Sequence, residues 1–177
     1  MTWSIDPTHS SIEFSVRHLG ISTVRGRFRS FSGTVEVAPD GRPTALEARI
    51  DATSIDTGVE QRDAHLRSPD FFDTEQHPEI LFRSTAVTAA RDGKLRVTGD
   101  LSIKGQARPV SFEVELTAAM RDPWGNIRTA ASATGLLDRR DWGLTWNQAL
   151  EFGGWVVGDT IRFAIEVEAV APQAVAA

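Results

Sequence analysis

The chain has 177 residues, 41% of them hydrophobic and 24% charged, with a formal net charge of −5. That length supports one core of ordinary domain size, and the composition is that of a globular protein. The acid excess disfavours duplex nucleic acid and anionic membrane surfaces as partners, and the absence of cysteine excludes disulfides, zinc–thiolate centres and thiol nucleophiles.

The start, Met1-Thr2-Trp3-Ser4-Ile5-Asp6, has neither a basic nor an apolar leader segment. The chain is therefore expected to be cytoplasmic, or periplasmic or secreted if a leader has been removed. No apolar run is long enough for an integral membrane helix. Ile12, Phe14 and Val16 alternate with Glu13, Ser15 and Arg17, and Val24, Gly26 and Phe28 alternate with Arg25, Arg27 and Arg29. The three arginines read as one solvated strand face. Leu46, Ala48 and Ile50 repeat the pattern against Glu47, Arg49 and Asp51. Such a period of two gives a strand one apolar and one wet face, which is the mark of antiparallel sheets.

The next segment breaks that period. Thr57-Gly58-Val59-Glu60 has the form of a capping box, predicting Thr57 as the N-cap of a helix that runs to about Arg67. Val59 and Leu66 would be its apolar stripe, with Arg62 and Asp63 flanking it and each needing a partner. Ser68-Pro69 predicts a second start and a short helical turn over Asp70 to Asp73. Strand alternation then resumes in Val110-Phe112-Val114-Leu116 and in Ile161-Phe163-Ile165-Val167. Pro39-Asp40-Gly41, Arg91 to Lys94, Lys104-Gly105-Gln106 and Asp122 to Asn126 are turn signals between the runs, the last a hairpin with Trp124 at a rim or interface. About eight strands result, spaced as in an all-β sandwich or barrel. They make up a single domain over residues 1–170, followed by a frayed small-residue tail at 171–177.

Five segments resemble one family: Trp3 to Ser10, Phe14 to Gly20, Arg62 to Asp73, Gly99 to Gly105 and Arg139 to Leu144. These residues are similar to the signatures of YceI-like, polyisoprenoid-binding proteins, and the similarity runs from about Trp3 to Val170. The resemblance implies an all-β, lipocalin-like antiparallel barrel that holds an isoprenoid lipid in its interior and forms a homodimer. Phe152 and Trp155 are bulkier than that pattern expects and would narrow the pocket or cap its mouth.

A barrel of about eight strands is either filled by its side chains or left with room for one ligand. Here large inward residues (Phe14, Phe28, Phe112, Phe163) accompany small ones (Gly26, Ala48, Gly99, Ala131, Ala133), which would leave an elongated void. Ten methylene-sized groups buried in it would supply about 8 kcal/mol before binding costs. With the resemblance, the expected ligand-binding set is Phe14, Val16, His18, Phe28, Phe71, Phe72, Phe82, Leu101, Ile103, Phe112, Leu144, Trp146 and Phe152. No cofactor other than the lipid is called for. His9, His18, His65 and His77 match no metal-ligand spacing. Arg62, Asp63, Arg139 and Asp141 are read, with Arg140, as ion pairs pinning the helix over the barrel. The competing readings are an enzyme acting on an apolar substrate through Asp63, His65 or His18, and an interaction module with a filled barrel.

Overall fold

The computed structural model describes residues 1–151 and 153–172. Its strands in chain order are β1 (Thr2–Ile5), β2 (Ser11–His18), β3 (Ser22–Phe28), β4 (Phe31–Val37), β5 (Pro43–Asp51), β6 (Ile55–Asp56), β7 (Glu79–Ala89), β8 (Leu95–Ile103), β9 (Gln106–Leu116), β10 (Met120–Arg121), β11 (Ile127–Asp138) and β12 (Val157–Val170). All are antiparallel. The last strand closes the sheet: one edge of β12 pairs with β11, and the other pairs with β2 and β1.

Several of these segments are halves of one bent strand. Ile5 of β1 and Ser11 of β2 lie along the same edge of β12, opposite Ala169 and Glu166. The short 3₁₀ turn Pro7–His9 separates them, and the Asp6 carboxylate caps that turn by accepting the Thr8 N–H at 3.0 Å. β3 and β4 meet at a corner at Arg29 and Ser30, whose N–H groups both donate to Ser54 Oγ. β5 continues into β6 through the turn Ala52–Ser54. With these pairs joined, and with β10 continuing β9 along the same edge of β11, the wall is an eight-stranded barrel in which each strand lies beside its sequence neighbours. This agrees with the lipocalin-like, all-β fold expected above.

The long connection from β6 to β7 carries α1 (Glu60–Arg67). The helix ends where expected but starts differently. Its N-cap is Val59, with no side-chain cap, because the Thr57 hydroxyl is engaged elsewhere. Asp63 Oδ1 accepts from Thr57 N (2.9 Å) and Thr57 Oγ1 (2.5 Å), and Arg62 Nε donates to Thr57 Oγ1 (2.7 Å). The apolar stripe is also different: Val59 is 48% exposed, whereas Asp63 is only 4% exposed. Leu66 faces inward. After α1 the chain forms a hydrogen-bonded turn rather than a second helical start. The Ser68 carbonyl there accepts from Phe71 N and Asp73 N.

The solid core lies at the α1 end. Phe28, Ala52, Ile55 and Ile80 form one buried cluster, and Phe71, Trp142 and Leu144 form another. Leu66, Phe72, Leu101 and Ile103 pack against both, so the helix and the turn after it plug this end of the barrel. Among the described residues no helix is long and apolar enough to cross a membrane. The expected tail falls outside the described residues from position 173 onward.

Candidate ligand cavity

Above the plug the barrel holds a cavity of about 700 Å³. Its wall is built largely from the inward phase of the strands, including Trp3 and Ile5 of β1, Val35 and Val37 of β4, Val110, Phe112 and Val114 of β9, and Ile161, Phe163, Ile165 and Val167 of β12. At the end away from α1 the lining reaches the exposed residues Gly41 and Leu116 to Ala119, so the bore opens to solvent there. At the other end Phe71, Phe72, Trp142 and Leu144 form its floor.

The bore stays open because its aromatic rings are laid against the wall. Phe14 pairs with Gly26 across β2 and β3, Phe163 with Gly135 across β11 and β12, and Phe82 of β7 lies beside Gly99 of β8. In each case ring atoms occupy the space that a β-carbon on the glycine would take. Phe112 continues the aromatic surface between Phe82 and Phe163, with ring centroids 5.6 and 5.8 Å away. A glycine against the rings of Phe14, Phe82 and Phe163 thus lets a large apolar side chain cover the wall without crossing the lumen.

Charged groups stand outside this lining, with two exceptions, the exposed Glu13 of β2 and Arg139. Arg139 lines the floor and is buried. It donates to the carbonyls of Gly158 (3.0 Å), Trp146 (2.9 Å) and Leu144, and to Asp159 Oδ1 (3.2 Å). Burial pushes its guanidinium pKa down, partly offset by Asp159. Arg140 reaches Asp138 and Asp159, and its bond to Asp138 holds that carboxyl down at about 2. Asp141 is exposed and offers its backbone carbonyl to Arg108 Nε. The four residues expected to pair across the helix therefore do not form one network: Arg62 and Asp63 converge on Thr57, and Arg139 secures the start of β12.

A second cluster surrounds Arg128 near the open end. Its guanidinium bonds Asp6 (2.8 Å), Asp122 (2.8 Å) and Glu168. Hydrogen bonds from His9 and Arg128 hold the Asp6 carboxyl far below the usual carboxylate range. For Asp122, burial pushes the pKa up, but bonds from Asn126 and Arg128 outweigh it and hold the group at about 2. Asp6, His9 and Glu168 approach one another closely enough to ligate a cation. The chain's own Arg128 already supplies the positive charge.

A model of the YceI-like domain matches residues 3–169. The chain belongs to the YceI-like family. A UPF0312 protein of Staphylococcus aureus (strain N315) is 37% identical over 168 residues, covering 94% of this chain and 95% of that one. The crystal structure of a Campylobacter jejuni YceI protein matches with a TM-score of 0.76 at 26% identity, over 89% of this chain and 90% of that one. A polyisoprenoid-binding domain from Saccharophagus degradans, implicated in plant cell wall breakdown, has the same fold. Its TM-score is 0.69 at 18% identity, over 96% and 98% of the two chains.

Within this YceI-like barrel, Phe14, Val16, Phe28, Phe71, Phe72, Phe82, Leu101, Ile103, Phe112 and Leu144 all line the bore. His18 does not. It is the last residue of β2, opposite Ser22 and Val157, and of these three only Val157 lines the bore. Trp146 lies behind the floor, its ring 4.6 Å from His65 and 5.4 Å from Phe71. Phe152 lies outside the described residues. Trp155 is 60% exposed and caps nothing in the bore. Trp124 is exposed at the tip of the β10–β11 hairpin. None of Asp63, His65 and His18 lines the cavity, and His65 Nε2 faces Asp70 Oδ2 at 2.8 Å instead. The floor residue Trp142 was hidden in a charged run, although its indole N–H is satisfied by the Leu101 carbonyl at 2.8 Å. The open rim at Thr117 to Ala119 carried no signal beyond small apolar residues after a strand.

Proposed function

We propose that the protein binds one long apolar chain, a polyisoprenoid or isoprenoid-quinone-like lipid, inside the barrel, for carriage, storage or sequestration. The observation that carries this is the bore itself: about 700 Å³, walled by aliphatic side chains and wall-laid phenyl rings, closed at one end and open at the other. An apolar cavity of about 150 Å³ holds a six-carbon ring, so by proportion this bore takes on the order of 28 carbons, or about five to six isoprene units. Each buried methylene is worth about 0.8 kcal/mol, so affinity needs no specific polar contact once association costs are met. The likeness to a polyisoprenoid-binding domain supports the isoprenoid class over other apolar chains.

The test is to purify the protein gently, extract it with organic solvent and analyse the extract by mass spectrometry. A prenyl series with steps of one isoprene unit is expected. If native mass spectra show only empty protein, even after incubation with polyprenols and quinones, the reading fails.

A further inference from the structure

We infer that the bore has a second opening, a side window between β9 and β11, through which the end of a chain too long for the bore leaves the barrel. This rests on the reading of the bore as a chain-binding site.

The seam between these two strands is the weak point of the wall. β11 stays paired with β12 from Arg128 through Asp138, and β9 stays paired with β8 from Gln106 through Val114. With each other they pair only from Val114 and Ala133 to Leu116 and Ala131. Toward the floor the ladder stops, and a cleft of about 410 Å³ lies between Arg108, Pro109, Val110 and Ser111 on one side and Leu136, Leu137 and Asp138 on the other, with Asp141 and Trp142 beneath. Val110, Ser111, Leu136, Leu137 and Trp142 line the bore as well, so the two spaces share a wall.

Side chains of both phases meet at this gap. Val110 and Phe112 face inward on β9, which turns Ser111 outward; Gly135 and Leu137 face inward on β11, which turns Leu136 outward. Leu136 is 59% exposed. Yet Ser111 and Leu136 both border the bore. Outward-facing residues in fully paired stretches, Glu13 and Ser132, border it too, so what distinguishes Ser111 and Leu136 is the missing ladder between them. Pro109 on this stretch has no N–H to offer a neighbouring strand, so the sequence itself weakens pairing there. The window sits low in the wall, beside the floor, while the mouth lies at the opposite end. A chain entering at the mouth and following the bore would meet the window where the floor stops it.

The consequence is tolerance of length: the bore volume sets how much chain is buried, not how long the chain is. Continuing the register of Ala133 with Val114 brings Leu136 opposite Ser111. In the variant S111C/L136C these would be the only two thiols, because the chain has no cysteine of its own. Bridging them with a bismaleimide whose spacer contains a cleavable disulfide narrows the window. Binding of geranylgeraniol, which fits the bore, and of undecaprenol, which exceeds it, is then compared by native mass spectrometry before bridging, after bridging and after cleavage.

The unbridged and wild-type proteins should hold both prenols. Bridging should leave geranylgeraniol unchanged and cut undecaprenol retention roughly tenfold or more, with recovery on cleavage. Undiminished undecaprenol binding in the bridged protein would overturn the window. So would a wild-type protein that holds geranylgeraniol but refuses undecaprenol, a pair that cannot be bridged, or a bridge that abolishes both prenols. A wild-type protein that binds neither prenol would sink the chain-binding reading itself.

Discussion

The ring of Phe163 occupies the space that a β-carbon on Gly135 would need, directly across the β11–β12 ladder. This pairing holds a bulky residue on the wall and out of the lumen. In the variant G135V the ring must swing into the bore or the strands must separate. Overpacking of this kind costs about 1–3 kcal/mol. The expected result is a lower thermal midpoint together with weaker retention of geranylgeraniol. A variant with full prenol retention would show that the ring can leave without entering the bore.

Arg139 satisfies three backbone carbonyls at the floor. The variant R139M keeps much of the side-chain volume but leaves those acceptors without their donor. Each buried unsatisfied group costs about 1–3 kcal/mol, so a loss of about 3 kcal/mol or more is expected. Urea unfolding should show a lower midpoint with an unchanged slope. A midpoint within error of wild type would mean that water replaces the guanidinium without penalty.

Asp63 accepts the Thr57 N–H and hydroxyl from inside the helix that follows. Its replacement in D63A should destabilise the protein by about 1–2 kcal/mol, the scale of a lost cap. Prenol binding should persist, because Asp63 does not line the bore. Turnover of an apolar substrate that vanished in D63A while the fold stayed intact would favour the enzymatic alternative.

The Arg128 cluster makes stability depend on acid. Asp122 is held at about 2 against an ordinary value of 3.8. A depressed carboxylate contributes its full stabilisation above the unfolded value and loses it as pH falls through the folded one. Asp6 is shifted in the same direction. The thermal midpoint of the wild-type protein should therefore fall as pH drops from about 3.8 toward about 2. In D122N the midpoint should be lower at neutral pH and the acid slope shallower. Equal slopes in the two proteins would remove Asp122 from the account.

Strand alternation was readable wherever one face is wet, as in Ile161 to Val167, because burial on one side leaves a period of two in the sequence. The barrel's corners were not. Arg29 and Ser30 break the strand through Ser54, a residue distant in sequence, and no local signal records that bond. The end of α1 is legible in the sequence, but its start is not, because Thr57 serves Asp63 and Arg62 rather than the helix terminus. The inward phase located most of the bore residues. It carried His18 one step too far, since phase does not reveal where a strand leaves the cavity. The glycine–ring pairs were legible only as a mixture of large and small residues, because their register depends on which strands become neighbours.

The closing role of β12 has a consequence for biogenesis. The strand that zips the first turn of the barrel to the last follows all the others in the chain, so no closed barrel can exist until β12 has been made. Until then β1, β2 and β11 present unpaired edges beside greasy faces, the kind of surface on which chaperones act and inclusion bodies grow. Truncations that remove the final strand should therefore yield insoluble product rather than a smaller binding unit.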